Sequence, residues 1–233
     1  MPSSPAAVET RKSLNRQNRV TLRAAGSISD HDRAGRIGPN AILQVRAALD
    51  QLCGRTVRER VLAVAGVALP DNDAGLVPES DCHAVHEATW RVLGDRARPV
   101  LHLAGRLTGN YILQHRIPKP VQAGLRALPP TAGGALLAFA IRRHAWTFAG
   151  SGRFGIVGQR PLVFEIADNP LRVALPDPRP CIWHVGVFER LFGALVWPGV
   201  AVQERQITQS AGVLCRFAIS PGPGSESDPL SDS

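Results

Sequence analysis

The sequence predicts an α+β fold in which a helical layer packs on a small, mostly antiparallel sheet. Apolar residues recur at helical spacing from Gly35 onward. After His144 the period changes to that of strands, and one more helical stretch precedes a closing hairpin. Several helices, two strands, one helix and two strands do not form the alternating βαβ pattern of a parallel sheet, which favours α+β over α/β.

Six stretches before His144 have the apolar spacing of helices, and prolines and glycines separate them. In the first stretch Pro39 suits an opening turn and Gly54 suits a helix end. Thr56 and Ser80 are predicted to cap the second and third helices. The stretches read GPNAILQVRAALDQLCG, RTVRERVLAVAG, VPESDCHAVHEATWRVLGD, RPVLHLAGRLTGNYILQHR, KPVQAGLRAL and TAGGALLAFAIRRHA.

The remaining elements are four strands and one helix. WTFAGSGRFGIVG and PLVFEIAD are predicted as two strands with glycine-rich edges. VAVQERQITQSAG and VLCRFAIS are predicted as the closing hairpin, with its turn at Gly212. CIWHVGVFERLFGALVW is predicted as the helix between them, and one face of it carries Phe188, Leu191, Phe192 and Leu195.

Composition divides the chain of 233 residues into three parts. Residues 1–34 are polar, rich in Ser and Arg and without periodicity, and we expect a disordered basic segment. Residues 35–220 are expected to form a single ligand-binding domain. Residues 221–233, PGPGSESDPLSDS, are expected to be a disordered acidic tail.

The net charge of +8 raises the question of nucleic-acid binding. Residues 1–36 hold seven basic and three acidic side chains, a local net charge of +4. Because no nucleic-acid-binding motif accompanies these charges, we expect no nucleic-acid partner. An anionic membrane or protein contact, or an ordinary solvated surface, fits the composition better.

Cysteine usage and hydropathy predict the cellular compartment. The four cysteines are far apart and form no CxxC motif, and no apolar leader or membrane-spanning run is present. We therefore expect reduced thiols in a cytoplasmic protein without a transmembrane segment.

The glycines in HAWTFAGSGRF have the spacing of a dinucleotide-binding loop. Gly150, Gly152 and Gly155 follow an apolar run, and Asp168 lies at about the required distance beyond them. However, the residues after Gly155 have a strand pattern, so no helix would meet a pyrophosphate. We therefore interpret the glycines as a β-hairpin or bulge and expect no NADPH site.

His144, Trp146 and Phe148 alternate, so in a strand they would share one face. Such a face could form the floor of a site for a flat metal-bearing ligand. A core histidine bonded to the backbone is the alternative.

Two groups of residues have spacings that metal ligands can have. CIWHVG holds Cys181, Trp183 and His184, and Glu204 and Cys215 could complete a site from the final hairpin. Cys82 and His86 are four apart on a predicted helix. Two ligands do not make a site, so core packing is favoured for both groups. No Ser/His/Asp set, P-loop or HExxH motif identifies a catalytic centre.

Several long strings in the same order resemble one known family. From Arg36 to Pro221 the sequence is similar to the J-protein family of bacteriochlorophyll biosynthesis, the 4-vinyl (8-vinyl) reductases of divinyl protochlorophyllide, with their 4-vinyl-reductase domain. The strings are RIGPNAILQV, AGVALPD, YILQHRIPKPVQ, HAWTFAGSGRF, PLVFEIADNPL and VFERLFGALV.

The resemblance implies a TRAPP-like ligand-binding fold, a homodimer and a Mg-porphyrin or chlorophyllide-type ligand. It also implies bacteriochlorophyll pathway enzymes as partners, such as magnesium chelatase or enzymes downstream of it. In sensor relatives of this domain, zinc is bound at positions that match Cys181, Glu204, Ile207 and Cys215. Because Ile207 cannot bind metal, we expect a degenerate site and no zinc.

A vinyl reductase needs a source of reducing equivalents, and neither a nucleotide loop nor a flavin or iron–sulfur motif is recognisable. We therefore expect a protein of bacteriochlorophyll biosynthesis that binds a tetrapyrrole and hands it on. A vinyl reductase with an external reductant is the alternative, so enzymatic activity stays open. The basic N-terminal segment could contact the photosynthetic membrane.

The expected pigment contacts are mostly histidines and aromatic residues. His144 is the first candidate for the axial contact, ahead of His184 and His115. Arg142, Arg143 and Arg153 could bind the propionates. The full set of expected contacts is His115, His144, Trp146, Phe148, Arg153, Trp183 and His184.

Overall fold

A computed structural model describes residues 35–175, 177–209 and 212–222. The predicted tails lie outside these residues, apart from 221 and 222. The helices are α1 (Asn40–Leu52), α2 (Arg55–Ala65), α3 (Glu79–Leu93), α4 (Ala97–His115), α5 (Lys119–Ala127), α6 (Pro130–Arg143), α7 (Trp146–Ala149) and α8 (Ile182–Leu195), with a 3-10 turn at Gly94–Arg96. The strands are β1 (Arg36–Ile37), β2 (Val77–Pro78), β3 (Arg153–Gln159), β4 (Leu162–Ala167), β5 (Ala174–Leu175), β6 (Asp177–Pro178), β7 (Ala201–Gln209) and β8 (Gly212–Ser220).

The main sheet has four antiparallel strands in the order β3-β4-β8-β7. The α+β class, the order of elements and the closing hairpin of β7 and β8 agree with the sequence prediction. Gly212, the predicted turn residue, begins β8 and pairs with Gln209, and residues 210 and 211 lie outside the described residues. Along β4 burial alternates, so Leu162, Phe164 and Ile166 share the inner face of the sheet.

Helix α8 connects β4 to the final hairpin and packs on the inner face of the sheet. The Phe188 ring lies 5.1 Å from that of Phe164 and 5.3 Å from that of Phe217, centroid to centroid. These edge-on aromatic contacts make up much of the core between helix and sheet. Residues 181–188, CIWHVGVF, are buried except for the half-buried Ile182. They are buried because α8 has the sheet on one side and α4 on the other.

Helices α4 and α8 approach each other backbone to backbone. A Cβ atom at Gly105 would overlap the Trp183 carbonyl oxygen, and one at Gly186 would overlap the His102 carbonyl oxygen. Only glycine permits this crossing without a shift of one helix. Beside it, His102 Nε2 lies 2.6 Å from a carboxylate oxygen of Glu189, which links the same two helices. The crossing at Gly105 and Trp183 holds the start of α8, where the candidate site lies, against α4.

Two predicted helix caps are wrong. Helix α2 begins at Arg55 after Gly54, and α3 begins at Glu79 after Pro78, with no side-chain cap at either start. Thr56 and Ser80 therefore lie inside the first turns of these helices. Proline and a positive-φ glycine direct the chain into each helix here, so the position of a hydroxyl residue does not mark the boundary.

The predicted strand through HAWTFAG is also wrong. Helix α6 continues to Arg143, and α7 is a single helical turn from Trp146, so the strand begins only at Arg153. His144, Trp146 and Phe148 consequently do not share a strand face. Phe148 is buried while His144 is exposed, because His144 lies at the end of α6, before the turn that holds Phe148. None of the described helices is both long and apolar enough to cross a bilayer.

Candidate functional site

Two thiols and one carboxylate meet where α8 begins. Cys181 directly precedes α8, Glu204 lies in β7 and Cys215 lies in β8. One possible ligand atom from each of these residues lies within 4.8 Å of the other two. Strand alternation explains the meeting, because Glu204 is paired with Phe217 and Gln206 with Cys215 on the inner face of the hairpin. The candidate metal ligands from the sequence are therefore brought together.

The two thiols share a proton. Their sulfur atoms lie 3.0 Å apart, and all four cysteines of the described chain are free. The hydrogen bond from the Cys181 thiol raises the pKa of Cys181 well above its usual value and lowers the pKa of Cys215. Cys215 therefore loses its proton more readily than Cys181. Thiolate is the form that binds metal ions.

Two buried oxygen atoms in this cluster have no hydrogen-bond donor within the described chain. They are Oε1 of Glu204 and Oε1 of Gln206. Burial raises the pKa of Glu204. Gln206 uses its amide nitrogen on the Arg179 carbonyl, 2.6 Å away, which leaves the amide oxygen free. An unpartnered buried polar atom lowers the stability of the folded protein. Each of these two oxygens could therefore ligate a cation or accept a hydrogen bond.

The donor set fits zinc only in part. Two sulfurs and one carboxylate are ordinary zinc ligands, whereas a structural site has four. Ile207 is unsuited to binding zinc because its side chain has no ligand atom, and its position is unsuited as well. It is paired with Leu214, and alternation places it on the opposite face of β7 from Glu204. Gln206 is a further side chain at the cluster, at a position that the resemblance to sensor domains does not indicate.

We expect the protein purified without chelator to contain well below one equivalent of zinc, and the substitution Gln206→Cys to raise this to about one. The new sulfur would lie on the face that carries Glu204 and Cys215. Ile207→Cys is the matched control and should leave zinc low, since it faces away. Elemental analysis of both variants checks this. Stoichiometric zinc in the unmodified chain, or a gain only with Ile207→Cys, would contradict this ligand set.

His184 lies beside the thiol cluster in an aromatic surrounding. Its ring centroid is 5.6 Å from that of Phe217 and 6.1 Å from that of Phe148. Nε2 lies 3.3 Å from the Phe148 carbonyl oxygen, and Nδ1 has no hydrogen-bond partner in the described chain. Burial lowers the pKa of His184 to about 3, so the ring is neutral at physiological pH. Its neighbour Trp183 also has a buried ring N–H without a partner in the described chain.

Most of the other expected pigment contacts lie away from His184. His144 is exposed at the end of α6, with Nδ1 2.9 Å from the Ala140 carbonyl oxygen. His115 is exposed at the end of α4, and its ring lies 4.7 Å from that of Tyr111 at a tilt of 38°. Arg153 is exposed and paired with Asp168 at 2.9 Å. Trp146 is half-buried, and Arg142 and Arg143 are exposed in the last turn of α6. Of the expected contacts, Phe148 and Trp183 have rings next to that of His184, at 6.1 and 5.0 Å between centroids.

The glycine loop encloses a carboxylate. Ser151 donates its backbone N–H and its hydroxyl to the two carboxylate oxygens of Glu79, at 2.8 and 2.7 Å. A Cβ at Gly150 would overlap one of these oxygens, and Gly150 has a φ of +53°. Gly155 lies within β3, so the loop leads into a hairpin as predicted. It ties the start of α3 to the sheet and presents no helix N-terminus to a phosphate.

Cys82 and His86 belong to the core. Burial raises the pKa of Cys82 to about 12 and lowers that of His86 to about 4. His86 Nε2 lies 3.1 Å from the Ala41 carbonyl oxygen, and its ring contacts Trp183 edge-on. Two polar neighbours of the thiol cluster, Asn169 and Gln206, were not predicted from the sequence. Only Gln206 carried a signal there, since it is two residues from Glu204 on a predicted strand.

No protein-family model matches the chain. Among solved structures, it is similar to an H-NOX protein from K. algicida in the Fe(II) unliganded state. A point mutant of that protein gives a TM-score of 0.57 at 10% identity over 81% of this chain and 98% of the other. The unsubstituted protein gives 0.55 at 8% identity over 80% and 98%. A structure from work on heme distortion in the H-NOX family gives 0.50 at 10% identity over 80% and 96%.

Fold and site together define an α+β domain with the H-NOX fold and a buried thiol–carboxylate cluster. The chain is 50% identical over 190 residues to the bacteriochlorophyll synthase 23 kDa chain of Rhodobacter capsulatus. The matched residues cover 82% of this chain and 89% of the relative. It is 46% identical over 189 residues to the protein of that name from Cereibacter sphaeroides, over 81% and 92%. The chain belongs to the family of the bacteriochlorophyll synthase 23 kDa chain.

Proposed function

We propose that this protein acts in bacteriochlorophyll biosynthesis by binding a Mg-tetrapyrrole of the protochlorophyllide class and handing it on to pathway enzymes. Family membership carries the proposal, since the relatives are named as chains of bacteriochlorophyll synthase. The fold adds support, because H-NOX proteins, which share it, have been studied for the distortion of their heme. Heme and protochlorophyllide are both flat metal tetrapyrroles.

His184 is the side chain best suited to an axial contact with the pigment metal. Only a neutral imidazole can ligate a metal, and burial keeps this ring neutral. Its Nδ1 has no hydrogen bond in the described chain, and aromatic rings surround it. Large flat ligands stack favourably on such rings. His144 is less suited, because it is exposed and its Nδ1 is bonded to the preceding turn.

Substitution of His184 tests this assignment. We expect His184→Ala to shift the absorption bands of a bound Mg-porphyrin and to weaken binding at least about tenfold, since an axial hydrogen bond or ligand bond is lost. Added imidazole should restore the bands if the variant is folded. His144→Ala is the matched control and should leave the spectrum unchanged. A shift with His144→Ala and none with His184→Ala would contradict the assignment.

Reduction of a vinyl group is the alternative activity, and it would require an external reductant. The glycine loop does not favour a nucleotide, because its amide and hydroxyl groups already hold the Glu79 carboxylate. A carrier needs only to bind the pigment and release it. Recipients would be enzymes of the same pathway, magnesium chelatase or those downstream of it. The expected homodimer remains a prediction that the molecular mass in solution tests.

A further inference from the structure

The outer face of α6 is apolar over three turns. Residues 132–141 read AGGALLAFAI, so no polar side chain occurs in this stretch. Gly133, Gly134, Leu137, Ala138 and Ile141 face the protein. The exposed positions are Ala132, Ala135, Leu136, Phe139 and Ala140, which we call the α6 face. A helix that is apolar all round is normally covered on all sides.

The α6 face exposes large side chains. Leu136 is 51% and Phe139 is 55% exposed, and they lie three residues apart on one side of the helix. Val121 and Leu128, on and just after α5, are also exposed, at 51% and 38%. Helix α5 packs against α6, since a Cβ at Gly133 would lie 3.2 Å from the Leu125 carbonyl oxygen. A helix that packs against α6 and the residue after it therefore also carry exposed apolar side chains.

The segment of the chain that contains α6 carries charges of one sign. Residues 96–164 contain ten Lys and Arg and no Asp or Glu. Arg142 and Arg143 follow Phe139 by three and four residues, so both lie next to it in the last turn. Neither guanidinium has a carboxylate within ion-pair distance in the part of the chain that the structure describes. An apolar strip with cations at its end fits an anionic partner.

We propose that the α6 face docks on the surface of an anionic lipid bilayer. Leu136 and Phe139 would enter the interface while Arg142 and Arg143 meet lipid phosphates, as in helices that lie flat on membranes. A second copy of this chain is disfavoured as the occupant, because neither α6 face would offer a carboxylate to the guanidinium groups of the other. The inference does not depend on the proposed pigment binding.

Vesicle flotation of the full chain tests this proposal. One vesicle is pure phosphatidylcholine, and the other contains equal parts of phosphatidylcholine and phosphatidylglycerol. We expect partitioning to the anionic vesicle only, falling as salt rises. Arg142→Gln with Arg143→Gln should lower the partition coefficient about thirtyfold, since each basic side chain contributes about fivefold. Leu136→Ser with Phe139→Ser should lower it by at least about tenfold.

Two double variants serve as matched controls. Leu52→Ser with Val64→Ser removes two residues that are 49% and 47% exposed on other helices. Arg55→Gln with Arg60→Gln removes two exposed charges of α2. Both should bind vesicles like the unmodified chain, and all variants keep the basic residues before 35. Equal binding to neutral vesicles, or retention by both α6 variants, would overturn the proposal. So would a dimer that the α6 substitutions convert to monomer, since the occupant would then be a second copy.

Discussion

Lowering the pH from 7 to 5 should reduce the free energy of unfolding by about 4 kcal/mol. Burial holds the pKa of His86 at about 4 and that of His184 at about 3 in the folded protein. An unfolded imidazole titrates near pH 6.5, so between these values the unfolded chain binds protons that the folded chain does not. The contribution of the two neutral histidines to the free energy of unfolding is therefore fully present above about pH 6.5. It is lost as the pH falls toward 4, by about 1.4 kcal/mol for each histidine and each pH unit.

Urea unfolding at several pH values measures this loss. His86→Gln and His184→Gln should each remove about half of the slope of stability against pH, whatever their effect at pH 7. The slope of stability against pH identifies the histidines as the source of the loss better than the stability at one pH does. This matters because Glu204 changes the stability in the opposite direction as the pH falls. Burial raises the pKa of Glu204, so its protonation in the folded state stabilises the protein as pH falls. Slopes unchanged in both variants would show that the two imidazoles are not buried as described.

Gly105→Ala should destabilise the protein by about 3 kcal/mol, the upper part of the range for overpacked cores. The added Cβ would overlap the Trp183 carbonyl oxygen, and a backbone atom cannot move aside as a flexible side chain can. Helices α4 and α8 would have to separate, which also disturbs the start of α8 at Cys181. Equilibrium unfolding in urea measures the change.

Gly124→Ala is the matched control for this substitution. Gly124 is also helical, but a Cβ there meets no atom within 4 Å. Alanine favours helix over glycine, so we expect no loss or a gain of about 0.5–1 kcal/mol. Equal effects of the two substitutions would mean that the close crossing of α4 and α8 is absent.

Most of the fold could be predicted from periodicity. The helical spacing before residue 144 and the alternation in β4, β7 and β8 reflect faces that must be buried, so the sequence carries them directly. The error at residues 144–149 has a physical reason. The turn of α7 holds Trp146 and Phe148 but not His144, and Phe148 packs in the core against Phe154 and Phe188, which belong to other elements.

The candidate site was predictable in part. Cys181, Glu204 and Cys215 could be grouped because strand alternation and a short hairpin restrict where their side chains go. The same alternation places Gln206 with them and Ile207 away from them, although the resemblance to sensor domains points to position 207. The burial of His184 could not be foreseen, since its neighbours Phe148 and Phe217 come from separate elements.

Family and fold support the same proposal from two directions. Relatedness places the chain in a family named for bacteriochlorophyll synthase, and the structure gives it the fold of H-NOX proteins. Both support the proposal of a domain that binds a tetrapyrrole. The neutral imidazole of His184 then gives this proposal a particular residue to test.

Titration of the purified protein with divinyl protochlorophyllide, followed by absorbance with and without NADPH, tests the central claim most directly. We expect a saturable shift of the pigment bands that is the same in both conditions, with no change in the pigment itself. Such a result would establish binding without reduction. Conversion to the monovinyl product when NADPH is present, or the absence of any saturable shift, would contradict the account.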